Sequence, residues 1–443
     1  MSVQSSSLSG TLSSGHSSVV ASSGAWTTLF ILTAIYAINI ADRYVLSTLI
    51  EPIKHEFQLS DASVGFLTGV ALAIFYVAAG LPLGALADRA NRKRMIGTAV
   101  AVWSAMTVLC GLSSGFWQLL LARIGVGVGE AGGTPPSHSI IADKFRPKLR
   151  AFALSVYGIG ASIGAWFGAS GAGYLNDAYG WRTTLLVFGL CGLPFALLAW
   201  LCIREPKRVH DDDLVDDNAR HQPGETHGNN FKATLAYTVQ RRALLHLIAG
   251  ATVITFWGWG ILWWATSFLV RSYGLSVGEA GALLGPIHGI GGTAMMVITV
   301  LAMLLLRSRA MSRQASFVAW TTLLGTLFSV ALFSTLKLEL THVLLWLFVP
   351  ITYIYIGPSI GLLQNLYPAG MRAKGSAILL FTANIANLAI APQLVGLLSD
   401  LVAPHLANSA ESLRYVLLGC AFTGFWASYH YWACARHMQR EAQ

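Results

Sequence analysis

Charge is scarce in this chain of 443 residues. Only 11% of its residues are charged, whereas 54% are hydrophobic, and its mean hydropathy is +0.58. A soluble domain usually carries about 25% charged residues. The deficit excludes an ordinary soluble globular protein and predicts an all-α membrane protein that crosses the bilayer many times.

Paired cysteines and a signal peptide are also missing. The five cysteines fall in apolar segments without paired spacing, which argues against a disulfide framework and a CxxC metal site. Residues 1–24 contain no Lys, Arg, Asp or Glu, so they lack the basic start of a secretory signal peptide. We interpret them as a disordered cytoplasmic tail before an uncleaved first span.

Sequence motifs of catalysis are missing as well. The chain contains no Walker A motif and no HExxH pattern. Neither ATP-driven transport nor a lipid-modifying membrane enzyme is therefore indicated. We predict that the protein is not an enzyme and that it carries no cofactor or metal ion.

Apolar stretches of about 20 residues, the length that one membrane crossing needs, occur twelve times. We therefore predict two six-helix bundles, 25–203 and 242–437, joined by a cytoplasmic linker 204–241 and followed by a cytoplasmic tail 438–443. The predicted spans are 26–50, 63–86, 95–114, 117–142, 151–175, 183–203, 243–270, 279–306, 314–335, 341–366, 373–398 and 413–435.

The positions of Lys and Arg predict the orientation. With the N-terminus inside, most of them fall in inside loops and few in outside loops, as the positive-inside rule requires. Both termini are then cytoplasmic, and the protein lies in the cell (inner) membrane. The formal net charge of +9 is explained by this topology, so no nucleic-acid partner is predicted.

A weak internal repeat relates the two bundles. The segment Phe145–Ala151 precedes the fifth span, and the similar segment Tyr367–Ala373, 222 residues later, precedes the eleventh. Duplicated bundles of this kind are typical of transporters whose substrate site lies between the bundles near the membrane midplane.

Two motifs in the first half carry a resemblance to a known family. The stretch Gly84-Ala-Leu-Ala-Asp88-Arg89-Ala-Asn-Arg92-Lys93-Arg94 resembles motif A of the major facilitator superfamily, and Arg123-Ile-Gly-Val-Gly127-Val-Gly129-Glu130 resembles its RxxxGxG motif. Within the superfamily, Asp42-Arg43-Tyr44 and Gly127-Val-Gly-Glu130-Ala-Gly-Gly-Thr-Pro-Pro136 are similar to the Spinster family. The resemblance implies the major facilitator fold and export of lysophospholipids or sphingosine phosphate, with proton coupling proposed.

Only four charged residues lie well inside the predicted spans, and all four are in spans 1 and 4. Ionisable groups inside a membrane are functional candidates because each costs several kcal/mol there. Asp42 and Arg123 are at matched depth, and Arg43 can reach Glu130 or a substrate anion. We predict that Asp42 is the main protonation site, Glu130 the second and Arg123 the switching partner, with Arg43 and Glu130 binding substrate. The alternative is that the four charges only neutralise one another.

Motif A predicts a gate on the cytoplasmic side, formed by Gly84, Asp88, Arg89, Arg92 and Asp143. The Asp88 carboxylate could cap a helix of the other bundle, with span 11 as the first candidate. Arg92 and Asp143 could pair and hold this side closed in the outward-open state. The alternative is that the basic residues only anchor the loop on the inside.

The second half offers weaker candidates for substrate binding: Trp263, Gln364, Asn365 and Asn384. Tryptophans are also common at membrane interfaces, and amides often form hydrogen bonds between helices, so both alternatives stay open.

Together these features predict a monomeric, proton-coupled secondary transporter that moves an amphipathic anionic substrate by rocker-switch alternating access. The substrate class expected first is a lysophospholipid or a sphingoid phosphate. The alternatives are small organic anions such as sugar acids, drugs, or a transporter fold that only senses its ligand.

Overall fold

The computed structural model describes residues 24–441 except 88, 146, 206–230 and 307–309. Every regular element in these ranges is helical, which confirms the predicted all-α class. The predicted tail 1–24, apart from Gly24, lies outside the described residues, as does most of the predicted linker 204–241.

The described residues of the first half form nine α-helices. We call the side of the molecule on which the first helix begins the inner side, and the opposite side the outer side. Two π-helical segments, Phe66–Val70 and Phe167–Gly171, continue the helical path between neighbouring helices. The helices are α1 (Ala25–Thr48), α2 (Ile50–Phe57), α3 (Asp61–Gly65), α4 (Ala71–Ala87), α5 (Arg92–Gly111), α6 (Phe116–Ala131), α7 (Thr134–Lys144), α8 (Pro147–Trp166) and α9 (Ala172–Cys202).

From Phe231 onward, the part of the chain that the structure describes forms twelve α-helices, of which the first lies inside the predicted linker. Further π-helical segments are Phe256–Gly260, Ile287–Gly291 and Ile385–Ile390. The helices are α10 (Phe231–Gln240), α11 (Arg242–Thr255), α12 (Ala265–Tyr273), α13 (Val277–Pro286), α14 (Gly292–Leu306), α15 (Met311–Ser334), α16 (Leu338–Ile351), α17 (Ile356–Leu366), α18 (Arg372–Asn384), α19 (Ala391–Val402), α20 (Ser412–Ala421) and α21 (Thr423–Glu441).

Nine helical stretches of the described chain are long and apolar enough to cross a membrane. One of them, Phe152–Cys202, has 51 residues, more than twice the roughly 20 that one crossing needs. Its Gly180 has a non-helical backbone with φ of 80° and marks a turn between two predicted spans. The predicted spans 117–142 and 413–435 are each divided between two helices. The count of twelve crossings therefore stays a prediction.

Each half has an apolar core of its own. Within the described residues, one cluster of buried side chains comes from 25–203. The other comes from 243–438, joined by Ile50 and Val64 of the first half. The two clusters leave a seam between them, and the division into two six-helix bundles stays a prediction.

Small residues bring α1 and α8 close together. Gly160, Gly164 and Gly168 recur every four residues and face the backbone of α1. A Cβ atom at Gly164 would lie 2.2 Å from the carbonyl oxygen of Ala37, which no side chain permits. Small residues at such contacts are typical of membrane helices, which associate by close packing. The contact fixes the rotation of α1 and therefore the direction of its charged side chains.

Candidate functional site

The carboxylate of Asp42 in α1 accepts hydrogen bonds from two neighbouring helices. Thr107 Oγ1 of α5 donates to Asp42 Oδ1 at 2.6 Å, and Arg123 Nη1 of α6 donates to Asp42 Oδ2 at 3.2 Å. All three residues are buried, and Arg123 is 0% exposed. The structure thus brings together the acid and the base that the sequence places at the same depth.

A second ion pair joins the next residue of α1 to α6. Arg43 Nε donates to Glu130 Oε2 at 2.8 Å, and Arg43 Nη2 lies 2.7 Å from the same oxygen. The Glu130 side chain is 0% exposed and that of Arg43 is 18% exposed. The Arg43 guanidinium also lies over the ring of Tyr76, 5.4 Å from its centroid. Adjacent residues of a helix point about 100° apart, which explains why Arg43 and Asp42 find different partners.

The two ion pairs leave several buried polar atoms without a partner. Within the described chain, Glu130 Oε1 and the Nε and Nη2 atoms of Arg123 make no hydrogen bond. Buried polar groups are nearly always paired, so these exceptions mark a network with room to change partners. A proton on Glu130 Oε1 would cancel the charge that now holds Arg43.

A cavity of about 320 Å³ lies between the two halves and reaches Arg43. Asn384 and Trp263 of the second half also line it, whereas Asp42 and Glu130 lie behind its wall. Aromatic side chains form much of the lining, from both halves: Tyr36, Tyr44, Trp259, Trp263, Tyr353 and Tyr355. The cavity thus offers a positive group on one wall and aromatic and apolar surface around it.

A cavity and buried ion pairs on such a scaffold agree with the comparison to known proteins. The model of the Major Facilitator Superfamily matches residues 29–392, most of the chain. The chain belongs to the Major Facilitator Superfamily. This is a family of membrane transporters, so the protein is a transporter-family, multi-pass membrane protein.

Relatives within the superfamily include proteins with assigned transport functions. An MFS-type efflux pump of Mycolicibacterium smegmatis is 29% identical over 418 residues, covering 93% of each chain. The sphingosine-1-phosphate transporter SPNS2 of Danio rerio is 27% identical, covering 87% of this chain and 79% of that protein.

Among solved structures, a bacterial homologue of the human lysosomal transporter Spinster is similar in fold. It was solved in an inward-facing, unoccupied conformation, and it matches with a TM-score of 0.80 and 26% identity. The match covers 95% of this chain and 99% of that chain. The predicted resemblance to the major facilitator superfamily and to Spinster proteins is therefore confirmed.

On the outer side, a charged cluster joins the two halves of this superfamily member. Arg271 of α12 donates to Glu51 Oε1 at 2.7 and 2.9 Å and to both carboxylate oxygens of Asp61 at 2.7 Å. Lys54 Nζ lies 2.5 Å from Asp61 Oδ1. Arg271 belongs to the second half and its partners belong to the first, so these bonds exist only while the outer ends are together.

Further contacts reinforce this outer closure at the start of α3. The carboxylate of Asp400 accepts hydrogen bonds from the backbone N–H groups of Asp61 and Ala62 at 3.0 and 2.8 Å. Ser399 Oγ donates to Asp61 Oδ2 at 2.7 Å. A carboxylate at the first N–H groups of a helix is a favourable arrangement because those groups have no partner within the helix.

On the inner side, Arg92 and Asp143 form the predicted pair, but within one half. Arg92 Nη1 lies 2.5 Å from Asp143 Oδ2, and Arg92 Nε donates to Glu205 Oε1 at 2.8 Å. Arg92 and Asp143 belong to the first half, and Glu205 follows α9 at the start of the predicted linker. The pair was expected in an outward-open state, yet it is present here while the outer side is closed. It therefore ties the inner ends of α5, α7 and α9 together and does not by itself join the halves.

The other predicted gate residues are only partly described. Asp88 lies outside the described residues, so its predicted contact with span 11 stays a prediction. Gly84 belongs to α4, and Arg89 is exposed at the inner side.

Two of the predicted substrate residues do not line the cavity between the halves. Gln364 and Asn365 lie in the last turn of α17, and Gln364 Nε2 donates to Ser376 Oγ at 2.8 Å. Neither residue is among the described residues that line the cavity. The bond of Gln364 fits the alternative, an amide that joins two helices, and a role of either residue in substrate binding stays a prediction.

Residues to which the sequence motifs assign no role complete the site. Thr107 contacts Asp42, and the tyrosines Tyr44 and Tyr353 approach the ring nitrogen Nδ1 of His288 at 3.4 and 3.1 Å. A threonine or tyrosine in a membrane span carries no signal by itself. The outer cluster could have been suspected from Asp61 and Arg271, which sit at the ends of predicted spans.

Proposed function

We propose that this protein is a secondary transporter that couples proton movement to the movement of an amphipathic anion. The observation that carries the proposal is that Arg43, which lines the cavity between the halves, is bound to the buried carboxylate of Glu130. Twelve membrane crossings, cytoplasmic termini and a place in the cell (inner) membrane belong to the same proposal.

Arg43 supplies the anion-binding group. Its fork of N–H donors suits a phosphate or a carboxylate, and the aromatic lining suits an apolar chain. The substrate class that fits both walls is a lysophospholipid or a sphingoid phosphate. The relationship to SPNS2, a sphingosine-1-phosphate transporter, supports this choice.

Competition for Arg43 supplies the coupling. A substrate anion that takes Arg43 leaves Glu130 as an unpaired buried carboxylate, which is costly enough that it takes up a proton instead. Asp42 keeps two donors, Thr107 and Arg123, when Arg43 changes partner. We therefore place Glu130 first in the order of protonation and Asp42 second, the reverse of the order expected from the sequence.

Alternating access follows from the contacts on the outer side. The bonds of Arg271 to Glu51 and Asp61 hold the outer ends together, so the described conformation is closed on the outer side. Breaking them would open the cavity to the outside while the inner ends close, with α1 and α6 carrying the charged pairs through the change.

Transport by proteoliposomes tests the proposal. A panel of sphingosine-1-phosphate, lysophosphatidylglycerol and a sugar acid is offered with and without a pH gradient. We expect uptake of the two lipids to depend on the gradient in the wild type and not in Asp42→Asn or Glu130→Gln. Arg43→Gln should abolish lipid uptake, whereas Lys337→Gln, an exposed charge on the outer side, should not. If lipid uptake by the wild type does not depend on the pH gradient, the proposed proton coupling is refuted.

The second candidate is a drug or organic-anion exporter. It is favoured by the M. smegmatis efflux pump, which matches over 93% of both chains. The same vesicles loaded with a lipophilic cation and with a sugar acid distinguish the two. Transport of either compound without competition by sphingosine-1-phosphate would favour this candidate over the lipid.

A further inference from the structure

A cavity of about 460 Å³ lies on the inner half of the first bundle, away from the cavity between the halves. It is lined by parts of α4, α5 and α6 and by the turn between α4 and α5. Its lining is almost entirely apolar, and Arg94 stands at one end: Leu83, Leu86, Ala90, Asn91, Arg94, Met95, Thr98, Ala99, Val102, Val128, Gly129 and Gly132.

The cavity faces the membrane and not the seam between the halves. On α6, Glu130 points toward Arg43, whereas Val128 and Gly132 are each two residues away and project from the opposite face. Val128 is 37% exposed and Leu86 is 50% exposed. In a membrane-spanning helix, exposed apolar residues on the side away from the seam meet lipid.

The length of the cavity is close to the thickness of one bilayer leaflet. Its lining on α5 runs from Arg94 to Val102, which is about 12 Å along the helix axis. One leaflet of hydrocarbon is about 15 Å thick. The apolar end therefore reaches toward the membrane centre while Arg94 lies at the surface that carries the basic loop.

The protein surface at the inner end of the cavity carries positive charge that a lipid headgroup can reach. Arg94 is exposed, and in the part of the chain that the structure describes its guanidinium forms no ion pair. Lys93 and Arg89 lie in the same basic segment. Each basic group beside a membrane strengthens the binding of anionic headgroups by about a factor of five.

We propose that this cavity binds one anionic phospholipid of the bilayer, with an acyl chain between α4, α5 and α6 and its phosphate at Arg94. The site does not depend on the proposed coupling or on the transported substrate. A lipid there would pack on the back of α6, the helix that carries Arg123 and Glu130, and so would support the face that holds both ion pairs.

Native mass spectrometry of the delipidated full chain tests the proposal, with phosphatidylglycerol and phosphatidylcholine as probes. We expect the first phosphatidylglycerol to bind at least about fivefold more tightly than phosphatidylcholine. Arg94→Gln should remove that preference and Arg94→Lys should keep it. Arg313→Gln, an exposed arginine near the start of α15 in the second half, is the matched control and should change nothing.

Filling the cavity separates its shape from its charge. Thr98→Trp and Val128→Trp place an indole in the cavity from two different helices, and each should weaken binding of both lipids. The melting temperature of each variant shows whether it is folded. If one of the two variants does not fold, the other still tests the cavity. Equal binding of both lipids by the wild type would overturn the site. So would identical behaviour of Arg94→Gln and Arg313→Gln, or wild-type binding by a folded tryptophan variant.

Discussion

Replacing Arg271 with Gln should open the outer side of the transporter. Arg271 is the residue of the second half that bonds both Glu51 and Asp61 of the first half, through four contacts of 2.7–2.9 Å. Glutamine has two N–H donors on its side chain, so it can replace at most two of these bonds, and it carries no charge. Because the bonds exist only while the outer ends are together, their loss destabilises that conformation alone.

The size of the effect follows from burial. The side chain of Arg271 is 10% exposed and that of Asp61 is 3% exposed. Removing one partner of a buried ion pair costs roughly 3–5 kcal/mol. The lower end applies because Lys54 still contacts Asp61 and because Glu51 is 19% exposed. About 3 kcal/mol shifts the ratio of outward-open to inward-open protein by roughly 100-fold.

Accessibility of a cysteine measures the shift. Ser47 lines the cavity and is buried beneath the outer closure, so Ser47→Cys in a background without the five native cysteines reports access from outside. A membrane-impermeant maleimide should label this cysteine much faster in Arg271→Gln than in the parent. Lys337→Gln, also on the outer side, is the matched control and should leave the rate unchanged. Equal labelling of all three proteins would refute the idea that the Arg271 cluster holds the outer side closed.

Three further changes have expected outcomes. Thr107→Val removes the 2.6 Å hydrogen bond to Asp42 and should lower the free energy of unfolding by about 1–3 kcal/mol, seen as a lower melting temperature. Gly281→Ala would put a Cβ atom 2.4 Å from the backbone oxygen of a neighbouring helix, whereas a Cβ atom at Gly419 would have nothing within 4 Å. The first substitution should therefore increase labelling from outside, and Gly419→Ala should not. Arg92→Gln removes the cation that pairs with Asp143 and Glu205, so it should lower the melting temperature without changing access from outside. A gate joining the halves would instead change that access.

The charged part of the site was predictable because charges are so rare in the spans. Asp42, Arg43, Arg123 and Glu130 stand out against an apolar background, and the rise of a helix fixes their depth to within a few ångströms. Depth alone pairs Asp42 with Arg123. To predict that Arg43 pairs with Glu130, one must also know the rotation of α1 about its axis, and that rotation depends on the close contact with α8.

The rest of the cavity could not be predicted with the same certainty. A span that is hydrophobic on all faces has no hydrophobic periodicity, so its sequence does not show which residues face the seam. Thr107 was therefore missed, and Gln364, expected to face the cavity, donates to a neighbouring helix. The outer cluster depends on how α12 meets α2 and α3 in space, and neighbouring positions in space are not visible in one sequence.

Proton movement that accompanies substrate movement tests the central claim most directly. Purified protein in vesicles with an internal pH-sensitive dye is given a gradient of sphingosine-1-phosphate at equal pH on both sides. The wild type and Glu339→Gln, an exposed acid outside the site, should change the internal pH as substrate enters. Glu130→Gln should bind the substrate and leave the internal pH constant. A proton flux of wild-type size in Glu130→Gln would contradict the role given to the Arg43–Glu130 pair.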